Sequence, residues 1–399
     1  MKKLNINLAK LSALFSLMVF LFMPTAAQAQ FSGTNGRIIS YGIGYGAVSV
    51  KPDGSNYFGH NISFVNSGSL QRQFVYSPDG AQIAYSKLNG TDVHLYIKSS
   101  SSYADDGVQL TTDTGVIDGN PYFSSDGTKI AFNRTNIATA KTDVYVIGVD
   151  GSGITRLTQA MYGASGQVLN PVWSNDDTKI FVSTSDAGAN GIGIYSISPT
   201  TPNQSTATSI VTAAEMTGES LGMYFDISPD NATFAYNSNS GDDSTNFSIR
   251  KVAYDGTGDS VVVNSNNTAR WTLGTFSPDG TKIVATKSNT LSTITYDLYT
   301  MNVDGTSQTA ISVGNGNSTS STGPFEFSPG YSPFWGTNQD TYPNNGSFGG
   351  FDSVGAPNTT TTNYLSKNYF PVVITSLATL GFIALLGIYL RKEFYGRKR

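Results

Sequence analysis

The sequence predicts an all-β fold: a six-bladed β-propeller in which N- and C-terminal strands close one blade, followed by a C-terminal transmembrane helix. Three observations carry that expectation. A turn motif recurs in six copies at near-constant spacing, the composition disfavours long helices, and an uncharged apolar stretch lies near the C-terminus.

The repeat comes first. Tyr76-Ser77-Pro78-Asp79-Gly80 is followed by Ile83-Ala84-Tyr85, and the pattern returns as Phe123-Ser124-Ser125-Asp126-Gly127 with Ile130-Ala131-Phe132. Further copies are Trp173-Ser174-Asn175-Asp176-Asp177, Ile227-Ser228-Pro229-Asp230-Asn231 and Phe276-Ser277-Pro278-Asp279-Gly280, and a degenerate sixth is Phe327-Ser328-Pro329-Gly330. Successive motif aspartates stand 47, 50, 54 and 49 residues apart. Such a period marks a repeat architecture.

Each unit reads as four short strands. A first strand ends in the Ser-Pro-Asp-Gly turn, where Pro presets φ and Gly accepts φ > 0. A second pairs back, as in Lys179-Ile180-Phe181-Val182. A third alternates, as in Asp143-Val144-Tyr145-Val146-Ile147, and ends in a Val-Asp-Gly turn. A fourth follows, as in Ile154-Thr155-Arg156-Leu157-Thr158. Asp-Gly between strands is a strong hairpin signal, and repeated four-strand units make a propeller. Arg37–Tyr41 and Ala47–Gly54 resemble second and third strands lacking a first, while Pro324–Ser328 offers a first strand with little after it. Joined, they close one blade and pair two otherwise open edges.

The Ser-Pro-Asp-Gly, Lys-Ile-Ala and Val-Asp-Gly pattern resembles the TolB-like propeller repeats between residues 36 and 336. The resemblance implies the fold and says little of function. TolB itself carries an N-terminal α/β domain and no membrane tail, so its translocation partnership is not carried over. Propellers of this type also precede the serine-hydrolase domain of prolyl oligopeptidase-like peptidases, and no sequence for that domain follows here.

Both ends read as membrane signals. Lys2, Lys3 and Lys10, an apolar run over Leu11–Met23 and Ala27-Gln28-Ala29 make residues 1–29 a signal peptide. The propeller spans 30–336, and an Asn/Gly/Thr-rich stalk spans 337–368. Residues 369–390 form a membrane helix, and the basic tail 391–399 puts the C-terminus in the cytoplasm by the positive-inside rule. The exported body is then tethered outside the cytoplasmic membrane. The tail also resembles sorting signals read by sortase-like transpeptidases, with Ala356-Pro357-Asn358-Thr359-Thr360 as the candidate motif.

Charge narrows the partners. Of 24 bases, eight lie in the first ten and last nine residues with one of the 28 acids, leaving 16 bases against 27 acids in the body. An acidic body lacks the basic footprint that nucleic acid requires. Cys is absent, so packing alone holds the fold. Neither His60 nor His94 sits in a metal-ligand spacing, and no nucleophile elbow, Walker loop or EF-hand loop is present. The turn aspartates are expected to cap their own backbone.

Two readings of a site follow. Asp226 and Glu326 each stand two residues before a turn Ser, where inner strands face the axis. Together they would hold a divalent cation or, as an acid/base pair, cleave a glycan. Loops entering the first strands carry Arg72, Asn120, Asn170, Tyr224, Arg270 and Trp271, a candidate mouth for an envelope protein or peptide. The leading expectation is a non-catalytic binding or scaffold module without a cofactor. The carbohydrate-active enzyme is the alternative.

Overall fold

Short runs of β-branched and aromatic residues, separated by turns rich in Gly, Asn and Asp, favour strands. A computed structural model describes residues 35–42, 46–56, 58–60, 62, 74–103, 106–159, 168–184, 193–212, 221–239, 247–265, 270–288, 296–311 and 333–337. The chain divides into two units, Met1–Pro343 and Asn344–Arg399, and every described residue belongs to the first. Among them no helix occurs, and none is therefore long and apolar enough to cross a membrane. The signal peptide, most of the stalk, the apolar segment 369–390 and the basic tail lie outside the described residues.

The strands come in antiparallel groups of four. The first group holds β1 (Asn35–Gly42), β2 (Gly46–Val50) and β3 (Phe58–Gly59). Next come β4 (Phe74–Tyr76), β5 (Gln82–Asn89), β6 (Asp92–Ser99) and β7 (Val108–Gln109). The third group is β8 (Val116–Phe123), β9 (Lys129–Asn136), β10 (Lys141–Gly148) and β11 (Thr155–Arg156). The fourth is β12 (Val168–Trp173), β13 (Ile180–Thr184), β14 (Gly193–Ile197) and β15 (Thr208–Thr212). The fifth is β16 (Leu221–Ile227), β17 (Thr233–Asn239), β18 (Phe247–Ala253) and β19 (Ser260–Val263). The last consecutive group is β20 (Trp271–Phe276), β21 (Lys282–Ser288), β22 (Tyr296–Asn302) and β23 (Thr309–Ala310). A parallel contact of Val93 with Ile117 merges the second and third groups into one eight-stranded sheet.

The first group is completed from the far end of the chain. β24 (Phe334–Thr337) pairs with β1, Ile38 opposite Trp335 and Ile39 opposite Phe334, giving the order β24-β1-β2-β3. Arg37–Tyr41 and Ala47–Val50 thus act as second and third strands. The first strand of this group is β24, and residues 324–328, expected in that place, lie outside the described residues. Trp335 takes the place of Tyr76, Phe123, Trp173, Ile227 and Phe276, and Gly336 that of the motif Ser. Its indole Nε1 donates to the Gly36 carbonyl at 3.2 Å, fastening the seam.

Units pack face to face, which is why β4, β12 and β20 are buried along their whole length. Apolar clusters run through the interfaces, and Phe334 touches three of them. Gly274 makes room for the seam, since a Cβ there would meet the carbonyls of Pro333 and Val284.

Candidate ligand site at the turn end of the axis

Each first strand delivers its last residues into a turn built by the motif itself. In the second unit the Ser77 hydroxyl donates to Asp79 Oδ1 at 2.6 Å and accepts from the Gln82 amide, while the Ala81 amide donates to Asp79. The same arrangement recurs at Ser124/Asp126, Ser174/Asp176, Ser228/Asp230 and Ser277/Asp279. Burial works to raise the carboxyls of Asp126, Asp176 and Asp279, and hydroxyl and amide donors overcome it, holding them below their ordinary value. These aspartates cap their own turns and have little left for a ligand.

Asp226 differs. It lies in β16 and is 2 % exposed. The Tyr122 hydroxyl of β8 donates to its Oδ1 at 3.0 Å, and the Phe276 amide of β20 donates to Oδ2 at 2.9 Å. One carboxylate therefore ties together three first strands from three units. A buried charge is tolerable only with such donors. Tyr122 in turn meets the Phe334 ring edge-on at 6.0 Å.

Above this floor is a small cavity that opens to solvent. Tyr76, Tyr122, Asp226, Thr275, Phe334 and Trp335 line it, and the turn residues Asn175, Pro229 and Pro278 bring its rim to the turn face. Concave, mostly apolar sites with a few converging polar groups are where ligands bind.

The model of the TolB beta propeller domain matches residues 53–326. The chain belongs to the TolB β-propeller family. No curated protein sequence matches it. Among solved structures it is similar to TolB from Acinetobacter baumannii, at 15% identity over 77% of this chain and 67% of that one, with a TM-score of 0.53. It is also similar to a chain of a nidogen/laminin complex, at 6% identity over 77% of this chain and 100% of that one, with a TM-score of 0.50. At these identities the likeness shows the fold.

Within this TolB-family propeller the sequence-derived residues fall in three places. Arg72 and Glu326 lie outside the described residues. Phe334 of β24 stands at the position that aligns with Asp226, and the expected pairing of Asp226 with Glu326 lies outside the described residues. The described residues contain no group of three or more His, Asp or Glu placed to hold a metal ion.

Asn120 and Asn170 are buried, with φ of 53° at both, in the bulges of β8 and β12. Asn133 of β9 links them: its Oδ1 accepts from Asn120 Nδ2 at 3.2 Å and the Asn170 amide at 2.8 Å, and its Nδ2 donates to Val168 O at 2.8 Å. Asn237 repeats the clamp one pair of units on, through Leu273 N and Trp271 O. These asparagines position strands. Trp271 is 2 % exposed and packs on Tyr299 beneath the Lys287 ammonium, so its ring belongs to the core. Tyr224 packs against the same cluster and is partly exposed, as is Arg270. Sequence reading aligned Tyr122 with Asp226 but passed over it as a neutral residue, and it did not single out Phe334. Tyr122 stands two residues before Ser124 as Asp226 does before Ser228, whereas Phe334 stands two residues before Gly336, which replaces the motif Ser and hides the equivalence.

Proposed function

We propose that this chain is a six-bladed TolB-family propeller that acts as a non-catalytic binding module, taking a protein or peptide at the turn end of its axis. The cavity floored by Asp226, Tyr122 and Phe334 carries the reading: it is concave, largely apolar, and assembled from several units at once. The alternative, a glycan-cleaving pair of Asp226 and Glu326, needs Glu326, which lies outside the described residues. The envelope address follows from the signal peptide and the apolar segment 369–390, with the propeller outside the cytoplasmic membrane and held there by that helix. The partner is then another envelope protein or an extended segment of one. The opposite mouth, where Arg270 and Tyr224 are partly exposed, is the competing face.

Capture from envelope extract by the full-length chain tests this. Pro229→Trp, which sets an indole across the cavity rim, is expected to abolish capture, and Arg270→Ala to leave it intact. The reverse pattern would move the site to the other mouth. Capture by neither wild type nor variant under cross-linking would refute the binding role.

A further inference from the structure

We infer that the exported chain carries N-linked glycans on Asn89 and Asn203, transferred from a lipid-pyrophosphate-linked oligosaccharide. This goes beyond the binding role and rests on the export that the signal peptide implies. Asn-x-Ser/Thr, with x other than proline, is the acceptor pattern for such transfer, and it serves on the surface of an exported protein. Among the described residues it occurs four times, as Asn89-Gly90-Thr91, Asn133-Arg134-Thr135, Asn203-Gln204-Ser205 and Asn231-Ala232-Thr233. The fold opens two of these and closes the other two.

Asn89 ends β5 and pairs with Asp92 at the start of β6, so Gly90 and Thr91 form a two-residue hairpin tip. All three acceptor residues are exposed, and a Cβ added at Gly90 would meet nothing within 4 Å. Asn203 stands on the link between β14 and β15 with φ of 52°, and it is exposed together with Ser205. Its backbone is anchored beneath: the Asn203 amide donates to Arg156 O at 3.0 Å and the Gln204 amide to Leu157 O at 2.7 Å. Both sites therefore present the carboxamide and the hydroxyl two residues on to solvent, on backbone that is already fixed. Neither lines the cavity at the turn end.

The closed pair is committed to holding units together. Asn133 is buried, both ends of its carboxamide serve the clamp on Asn120, Asn170 and Val168, and the Thr135 hydroxyl bonds that of Thr142 at 2.8 Å. Asn231 is half-buried, and its Oδ1 accepts from the Asn175 amide at 2.9 Å and from Asn175 Nδ2 at 3.1 Å. A sugar on either would break those contacts between units.

In the transfer, Asn Nδ2 attacks the anomeric carbon of the first sugar. The new C–N bond replaces the C–O bond to the pyrophosphate, which leaves on its lipid with the electron pair, and a base of the transferase takes the amide proton.

The test purifies the full-length chain from the membranes of its own host and reads its peptides by mass spectrometry, with fragmentation that keeps sugars attached. Asn89 and Asn203 are expected to carry saccharide, and Asn133 and Asn231 none. Thr91→Ala is expected to abolish the modification of Asn89 alone, while Thr91→Ser keeps it, and Ser205→Ala is expected to abolish that of Asn203. Bare Asn89 and Asn203 in chains that begin at Gln30 would overturn the inference while export stands. Bare sites in chains that keep residues 1–29 would defeat the export reading and the inference with it. Saccharide on Thr91 or Ser205 in place of the asparagines, or on Asn133 or Asn231, would also overturn it.

Discussion

Two kinds of turn circle the axis of this propeller, and they solve one problem differently. In the proline kind, Pro78 and Pro229 occupy the second turn position and present no N–H. The following unit answers with glycine: a Cβ on Gly127 would sit 3.5 Å from Pro78 Cδ, and one on Gly280 would sit 3.4 Å from Pro229 Cδ. In the other kind Ser125 and Asn175 stand where proline would, each with an amide to satisfy. There the following unit puts Asp177 or Asn231 at the glycine position, with φ of 56° and 58°. Asp177 accepts from the Ser125 amide at 2.6 Å, the Ser125 hydroxyl at 2.9 Å and the Asp126 amide at 3.0 Å. Asn231 accepts from the Asn175 amide at 2.9 Å. The departures from the motif are therefore paired across units. A missing proline is matched by an acceptor in the next turn, and the polar residue tolerates the left-handed conformation that glycine otherwise supplies.

The pairing can be broken from one side. Asp177→Ala removes three acceptor contacts and strains a positive φ, so it is expected to cost about 3 kcal/mol in urea unfolding. Asp177→Gly keeps the backbone relaxed and loses only the contacts, for about 2 kcal/mol. Adding Ser125→Pro to Asp177→Gly converts this turn pair to the proline kind. It is expected to recover most of that loss, and a strictly additive double variant would show that the pairing has no energetic content.

Acid separates the turn ring from the closing unit. Burial, then the charges of Arg37 and Lys98, push the His60 imidazole well below 6.5, so the folded protein holds it neutral. The unfolded chain binds that proton first. Stability is thus full above pH 6.5 and falls as pH drops below it, by at most about 1.4 kcal/mol per pH unit. His60→Gln should flatten this early decline. The turn aspartates Asp126, Asp176 and Asp279 have folded values below 3.8, so their contribution is present above 3.8 and is lost as pH falls through those lower values. An early decline that survives His60→Gln would assign it to another group. The smallest effect expected is for Pro78→Ser, about 0.5 kcal/mol, because it exposes an amide opposite Gly127 at a site water reaches.

Much of the fold was legible because the turn chemistry is local. Ser-Pro-Asp-Gly needs only its own residues to form, so each copy announces a first strand and its hairpin partner. The seam was legible in outline, since β1 and β2 read as strands lacking a neighbour. Its register was not, because Gly336-Thr337 replaces the motif and Phe327-Ser328-Pro329 imitates it. Pro333-Phe334-Trp335, the counterpart of Pro171-Val172-Trp173, was the better match. The site was less legible for a physical reason. Asp226 pairs with Tyr122 across 104 residues of chain, and no local pattern encodes a contact of that range. Arg270-Trp271 suggested an exposed hot spot, yet the ring filled a core that a sequence window does not show. Asp177 and Asn231 were visible as flaws in the motif, and only the neighbouring turn explains them.

Site-specific photo-cross-linking in cells would show whether a ligand docks at the turn face, as proposed. A photoreactive residue would replace Pro229 at the cavity rim in one chain and Val261, exposed on an outer strand, in another. A discrete cross-linked partner is expected from position 229 and none from 261. Equal labelling from both positions, or labelling from 261 alone, would contradict it.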